Sequence, residues 1–271
     1  ELGRPSDRAF QKYKGQARGG PGIIFLEAIS ISQESWARVN QLRINRETEA
    51  AFRDLVNDMR KENSRSLIIF QISHDGIQSG RFSRVVSVYQ TEDPSIEVLT
   101  EEEIGVIGDQ FAAAAALAKS VGADGIDFKH CHGYLCCEML RPFNQRKDRY
   151  GGSFENRTRF FRETSEKIKK AVNDPSFILG CRFSAFEPQP GGFGTAGPAS
   201  IQEDLTETLA FARMMEEAGM HYINVSAGRP LTIPLREKPE DVLHHFRLTE
   251  SLKNTVNMTV IGSAYSLLRD G

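Results

Sequence analysis

Six short runs of β-branched and aromatic residues recur along this chain, each separated from the next by a longer stretch of helical periodicity. That alternation leaves few folds open. The runs are GIIFLE at Gly22–Glu27, LIIFQI at Leu67–Ile72, GIDFK at Gly125–Lys129, FILGCRFS at Phe177–Ser184, YINVS at Tyr222–Ser226 and TVIG at Thr259–Gly262. They are nearly continuous in apolar character, which predicts strands buried on both faces and hence parallel pairing with helices outside. The intervening pattern predicts helices over Asp7–Ala17, Arg46–Lys61, Glu101–Ser120, Glu155–Val172, Glu203–Ala218 and Leu248–Asn254. Thr100 followed by Glu103 reads as a capping box, and Gly122 and Gly219 stand where helices stop before strands.

Repeated βα units form either an open doubly wound sheet or a (β/α)8 barrel. No GxGxxG follows the first strand, which weakens the dinucleotide-binding version of the former. Six strands are two short of a closed barrel; the chain opens directly in a helix and stops at Asp270-Gly271, just as another helix begins. The expected fold class is therefore α/β, an incomplete (β/α)8 TIM barrel, with residues 1–271 forming a single domain truncated at both ends.

Bulk composition excludes more than it identifies. Lys plus Arg (34) nearly balances Asp plus Glu (36), so charge gives no reason to expect nucleic acid or an acidic membrane as partner. The longest apolar stretch, Phe111–Ala118, is too short to span a bilayer and reads as small residues packing a helix closely against a neighbour. The first residues lack the basic and apolar regions of a signal peptide. Cys131, Cys136, Cys137 and Cys181 have no CxxC spacing, which argues for reduced thiols, a cytoplasmic setting and no Cys-ligated metal. A homo-oligomer is left open.

Chemistry in a barrel collects at the C-terminal ends of strands. Those positions hold Glu27 and Ala28, Gln71 and His74, Lys129, His132 and Tyr134, Arg182, Ser226 with Gly228, and Gly262 with Ser263. Strand alternation turns Asp127 and Lys129 inward and leaves Ile126, Phe128 and His130 outside. Asp127 and Lys129 read either as a self-neutralising pair or as a cation poised for an oxygen or an electron-rich ring. His132 can donate hydrogen bonds to a carbonyl, and the Tyr134 hydroxyl can give a proton to a nearby carbanion. Arg182 must find an acid or an anion. The Gly262-Ser263 turn precedes a helix and could hold a phosphate. His244 and His245 fall in a charged stretch that reads as solvated loop.

The segment HGYL…RPFNQRKDRYGGSFENRTRF resembles the central motif of the old yellow enzyme family, the FMN-dependent NAD(P)H:flavin oxidoreductases. The similarity extends through RGGPGIIFLEA, FQISHDGIQSGR and LTEEEIGVIGDQFAAAAALAKSVGADGIDF, so that it covers nearly the whole chain. The resemblance implies FMN at the C-terminal mouth and NAD(P)H as reductant. Gln71 and Arg182 would bond the pyrimidine edge of the flavin, Ala28 would pack beside it, and Gly228, Gly262 and Ser263 would complete the cofactor site. His132 and Lys129 would hold the substrate carbonyl oxygen, and Tyr134 would be the proton donor. Hydride would pass through flavin N5 to an activated alkene, as in an ene-reductase. Arg146, Asp148 and the following glycines would lock the loop.

Many members have His where this chain has Lys129. That keeps amine oxidation open as a rival to alkene reduction, and leaves three roles for the Lys: selecting a carboxylate-bearing substrate, raising the flavin potential, or being satisfied by Asp127. The family's first strand and its last phosphate-binding loop are not visible, which leaves an inactive truncated barrel as another alternative, and no iron–sulfur cysteine cluster is encoded here. A remoter reading takes His130-x-His132 as paired ligands of a metal-dependent barrel hydrolase.

Overall fold

A computed structural model describes residues 3–227 and 239–262. Its main sheet contains β1 (Ile23–Ser30), β2 (Leu67–Ser73), β3 (Gly125–His130), β4 (Ile178–Ser184), β5 (Tyr222–Ser226) and β6 (Thr259–Gly262). The spatial order is the sequence order, and every neighbouring pair is parallel. A doubly wound sheet reverses its strand order at a switch point, whereas this one never does; its topology is that of consecutive units of a (β/α)8 barrel. Among the described residues β1 and β6 form the two edges.

The helices are α1 (Asp7–Arg18), α2 (Glu49–Glu62), α3 (Glu101–Ser120), α4 (Leu135–Leu140), α5 (Phe154–Arg157), α6 (Arg159–Val172), α7 (Thr206–Glu217) and α8 (Pro239–Lys253). The capping box forms as expected: the Glu103 N–H donates to Thr100 Oγ1 at 3.2 Å, and the Thr100 N–H to Glu103 Oε2 at 2.8 Å. Gly122 and Gly219 adopt φ of 92° and 72°, the left-handed geometry that ends a helix cheaply only at glycine. The Ala-rich face of α3 is buried, and Gly108 lets it approach α6 so closely that a Cβ there would lie 3.0 Å from Thr164 Oγ1.

Outside β3 the core is aromatic. Phe128 meets Phe111 at 4.7 Å and lies stacked on Phe161 at 6.1 Å between centroids. Large buried rings of this kind tie the helical layer to the sheet, each contributing about 3–5 kcal/mol against truncation to alanine.

Four helical expectations differ. The Asn45 side chain accepts the Glu47 and Thr48 N–H groups, so α2 starts at Glu49 rather than Arg46. Asp204 does the same for Thr206, delaying α7. The helix expected over Glu155–Val172 breaks at Thr158, and α4 was not anticipated. The fourth difference corrects the reading of His244 and His245. They lie in α8, which begins at Pro239, a residue suited to the first helical turn; His244 Nε2 contacts Glu203, and His245 is buried. Among the described residues no helix is long and apolar enough to cross a membrane.

Candidate functional site

The sheet register assembles the site. Gln71 is opposite Asp127, Lys129 opposite Arg182, and Arg182 opposite Asn224, so polar side chains from four strands converge at one end of the sheet. Deepest is Asp127, fully buried. It accepts from Gln71 Nε2 at 3.1 Å, from the Tyr222 hydroxyl at 3.1 Å and, more weakly, from Asn224 Nδ2 at 3.5 Å. Burial pushes its carboxyl up, against the opposing pull of Arg182 and those three donors. No ion pair joins Asp127 to Lys129 among the described residues. The self-neutralising reading of these two residues is therefore wrong, because Asp127 spends its oxygens on neutral donors instead.

Two consequences follow for the layer above. The Gln71 amide is locked by donating its N–H to Asp127, which leaves its carbonyl oxygen available to the mouth. The Tyr222 ring, reaching for Asp127, stands directly on Gly180. A Cβ at position 180 would lie 1.9 Å from Tyr222 Cζ.

At the end of β3 the chain turns through His132 and Gly133, with φ of 65° and 72°. A left-handed histidine is costly, on the order of 1 kcal/mol or more, and persists only where its surroundings hold it. Here its N–H donates to Ser184 Oγ at 3.1 Å and its Nε2 lies 2.7 Å from Ser226 Oγ. Burial, with Arg182 and Lys129 nearby, lowers its pKa to about 2, so the ring is neutral at any ordinary pH. The same turn delivers Tyr134 to the N-terminus of α4, where burial raises its hydroxyl to about 12 and keeps it protonated.

Lys129 is only 4% exposed, and its Nζ sits 3.1 Å from the centroid of the Tyr134 ring. Burial lowers its pKa to about 8. Beside it, Arg182 Nε is buried without a partner among the described residues. His74 is neutral, with burial lowering it to about 4, and accepts the Gly76 N–H on Nδ1; its role is to shape the loop.

His130 faces the other way, among Phe128, Phe161 and Phe211, and burial lowers its pKa to about 3. His130 and His132 thus lie on opposite faces and cannot share a metal ion. The long motif after α4 is scaffold, as expected. Arg146 donates to the Val88 and Leu99 carbonyls at 2.5 and 2.6 Å and pairs with Asp148, while Arg157 reaches the Leu140 and Gly152 carbonyls. Arg141 forms a bidentate pair with Glu187 at 2.7 and 2.8 Å, both side chains 3% exposed or less.

Gln71, Lys129, His132, Tyr134 and Arg182 therefore gather at one mouth. Ala28 lies in the irregular part of β1 facing the level of Gln71, and Gly262 ends β6. Gly228 and Ser263 lie outside the described residues. The sequence reading placed Ser226 at a strand end and Asp127 inward, but it did not single out Tyr222 and Asn224 as the donors to Asp127, nor Ser184 behind His132. Inward alternation on YINVS was the available signal for Tyr222, Asn224 and Ser226.

Comparison with known proteins gives a consistent picture. The NADH:flavin oxidoreductase / NADH oxidase family matches residues 3–264. The chain is 34% identical to the NADH oxidase of Thermoanaerobacter brockii, over 96% of this chain and 40% of that protein. It is 29% identical to the NADPH dehydrogenase of Bacillus subtilis, over 80% and 61% respectively. It thus spans less than two thirds of these relatives' length. Among solved structures, a 2-naphthoyl-CoA reductase complex superposes with a TM-score of 0.83 at 22% identity, covering 95% of this chain and 41% of the other. The old yellow enzyme homologue of Zymomonas mobilis gives 0.77 at 20% identity, covering 97% and 74%.

Proposed function

The chain belongs to the NADH:flavin oxidoreductase / NADH oxidase family, and on that premise we propose that it binds FMN at the barrel mouth and uses NAD(P)H to reduce an activated alkene. The observation that carries this reading is the pair of unspent polar groups at the mouth, on the two strands that flank β3. The Gln71 carbonyl is fixed by Asp127, and Arg182 Nε is buried without a partner. Together they offer an acceptor and a donor to the pyrimidine edge of an isoalloxazine. Ala28 would pack against the ring, and Gly228, Gly262 and Ser263 would lie towards the phosphate.

When bound, FMN would supply two-electron chemistry, taking a hydride from NAD(P)H and returning it through N5 to the β-carbon of the alkene. The chain's own residues do the rest. With the Ser226 hydroxyl donating to His132 Nε2, the neutral imidazole carries its proton on Nδ1 and offers it to the substrate's oxygen. Lys129 brings a positive charge to the same oxygen, so the two stabilise the enolate as an oxyanion hole does. The Tyr134 hydroxyl, kept protonated by burial, gives its proton to the α-carbon.

Amine oxidation is the weaker reading, because a protonated amine would have to enter beside two cations, Lys129 and Arg182. Four unpaired, buried thiols support a reducing, cytoplasmic setting.

The test is the visible spectrum of the purified protein with FMN, followed by anaerobic NADH and NADPH. Flavin bands that bleach on adding nicotinamide, and recover with an enone or enoate, are the expected result. A protein that takes up no FMN, or FMN that no nicotinamide reduces, overturns the reading.

A further inference from the structure

The loop after β2 packs onto the turn after β3 and carries a buried acid into that contact. The Leu135 N–H donates to the His74 carbonyl at 3.2 Å. Gly76, at φ 57°, comes so close that a Cβ there would lie 3.1 Å from Leu135 Cα. Between these two contacts stands Asp75, fully buried. Gln41 Nε2 donates to its two carboxylate oxygens at 3.2 and 3.0 Å and to the Ala28 carbonyl at 3.2 Å, while Gln41 Oε1 accepts the Ala37 N–H at 2.7 Å. The carboxylate is therefore oriented by groups from β1 and from the loop that follows it. Lys129, whose Nζ rests on the Tyr134 ring, makes no direct ion pair with Asp75 among the described residues. In a site this deeply buried, attraction between charges carries beyond contact distance.

We propose that Asp75 is a positioning residue: its carboxylate, oriented by Gln41, keeps the Lys129 ammonium charged and held at the Tyr134 ring, ready for the substrate oxygen. This deepens the alkene-reductase reading and rests on it for the reaction that Lys129 serves. Around Lys129 lie Asp75 and Arg38 from the loops after β2 and β1, Cys131, His132 and Tyr134 from its own turn, and Arg182 from β4. Burial raises the Cys131 thiol to about 11, so it is neutral at pH 7, as are His132 and Tyr134. Of this set Asp75 alone is negative at that pH, and it opposes burial and the two arginines in their effect on Lys129. The same negative charge acts with burial to keep the Tyr134 hydroxyl protonated. One carboxylate thus holds both the cation and the acid in the states from which the reaction starts. Without the charge, Lys129 would offer the enolate a donor but no electrostatic stabilisation.

The experiment is an NMR titration of the full chain carrying 13C-labelled lysine and aspartate, with FMN added. Lys129→Met identifies the Lys129 signal by its loss, and Asp75→Asn identifies that of Asp75. Asp75→Asn should lower the Lys129 midpoint by about one pH unit. Because the coupling is reciprocal, Lys129→Met should raise the Asp75 midpoint by the same amount, and this arm decides the matter if Asp75→Asn fails to fold. A midpoint that stays in place in either folded variant overturns the proposal. In turnover of benzalacetone, an aryl enone, the alkaline limb should move to lower pH with the Lys129 midpoint in Asp75→Asn. A limb that stays put while the midpoints move removes Asp75 from the reaction and overturns its positioning role. FMN that NAD(P)H does not bleach sinks the alkene-reductase reading by itself, and the two titrations still decide whether Asp75 holds Lys129 charged.

Discussion

Two neighbouring stretches of this chain treat charge in opposite ways. From Arg141 to Arg159 the guanidinium groups are paid in full by carboxylates and backbone carbonyls: Arg141 by Glu187, Arg146 by Asp148, Val88 and Leu99, Arg157 by Leu140, Gly152 and Glu207. From Lys129 to Tyr134 the side chains are as deeply placed but under-served. Among the described residues Lys129 makes no hydrogen bond or ion pair and rests on a ring face, and His132 is held in a left-handed backbone conformation. Neighbouring Arg182 on β4 carries an orphaned Nε. Saturation marks scaffold, and deliberate deficiency marks the place where something else is meant to bind. Conspicuous residue types alone would have pointed to the first stretch, which is the richer in arginine.

The sharpest way to break this contrast is in the saturated stretch. Glu187→Gln should cost about 3–5 kcal/mol by leaving the Arg141 guanidinium buried and uncompensated, read as a lower midpoint in urea unfolding. A change below 1 kcal/mol would mean the pair is not structural. Acid should act through the buried histidines of the deficient stretch and of the loop after β2. His74, His130 and His132 are held neutral, with native pKa values below the ordinary 6.5, so the unfolded chain binds more protons and stability falls as pH drops from about 6.5 towards 4. Asp75, raised by burial to about 6, works in the opposite direction between about 4 and 6 and will blunt the slope. Stability that holds flat through this range would contradict the neutral assignment.

Lys129→Met should move the other way from Glu187→Gln and stabilise the protein at pH 7 by about 2 kcal/mol. The native pKa of Lys129 is depressed to about 8, so the wild-type penalty is complete below that pH and is relieved as pH rises towards 10.5. The gain from the substitution should therefore shrink over that window. Thermal melts at pH 7 and pH 10 check it, with Asp75, Arg182, Arg38, Cys131, His132 and Tyr134 as the neighbouring charged or titratable groups. The smallest effect belongs to Ser226→Ala. It removes the hydroxyl that lies 2.7 Å from His132 Nε2 and should lower turnover about 10-fold while FMN content stays unchanged. Loss of FMN instead would make Ser226 a cofactor ligand.

Much of this was legible in the chain alone. All six strands, the capping box at Thr100 and the inward pair Asp127 and Lys129 follow from local patterns of period two and from turn chemistry. What stayed hidden depends on partners distant in sequence. Asp127 could not be separated from Lys129 without knowing that Tyr222 and Asn224, on a strand almost a hundred residues later, reach it first. The break at Thr158 and the early start of α8 escaped for a related reason. Arg157 is drawn inward by the Leu140 carbonyl at the end of α4 and by Glu207, fifty residues on, and the Pro239–His245 stretch is charged enough to read as solvated although it is helical.

The seat that Gly180 makes for the Tyr222 ring has a bearing on descent as well as on packing. No side chain can enter position 180 while the ring is there, and without the ring Asp127 loses a donor. The two positions can therefore diverge only in concert, and a lineage that loses one should be found to have altered the other.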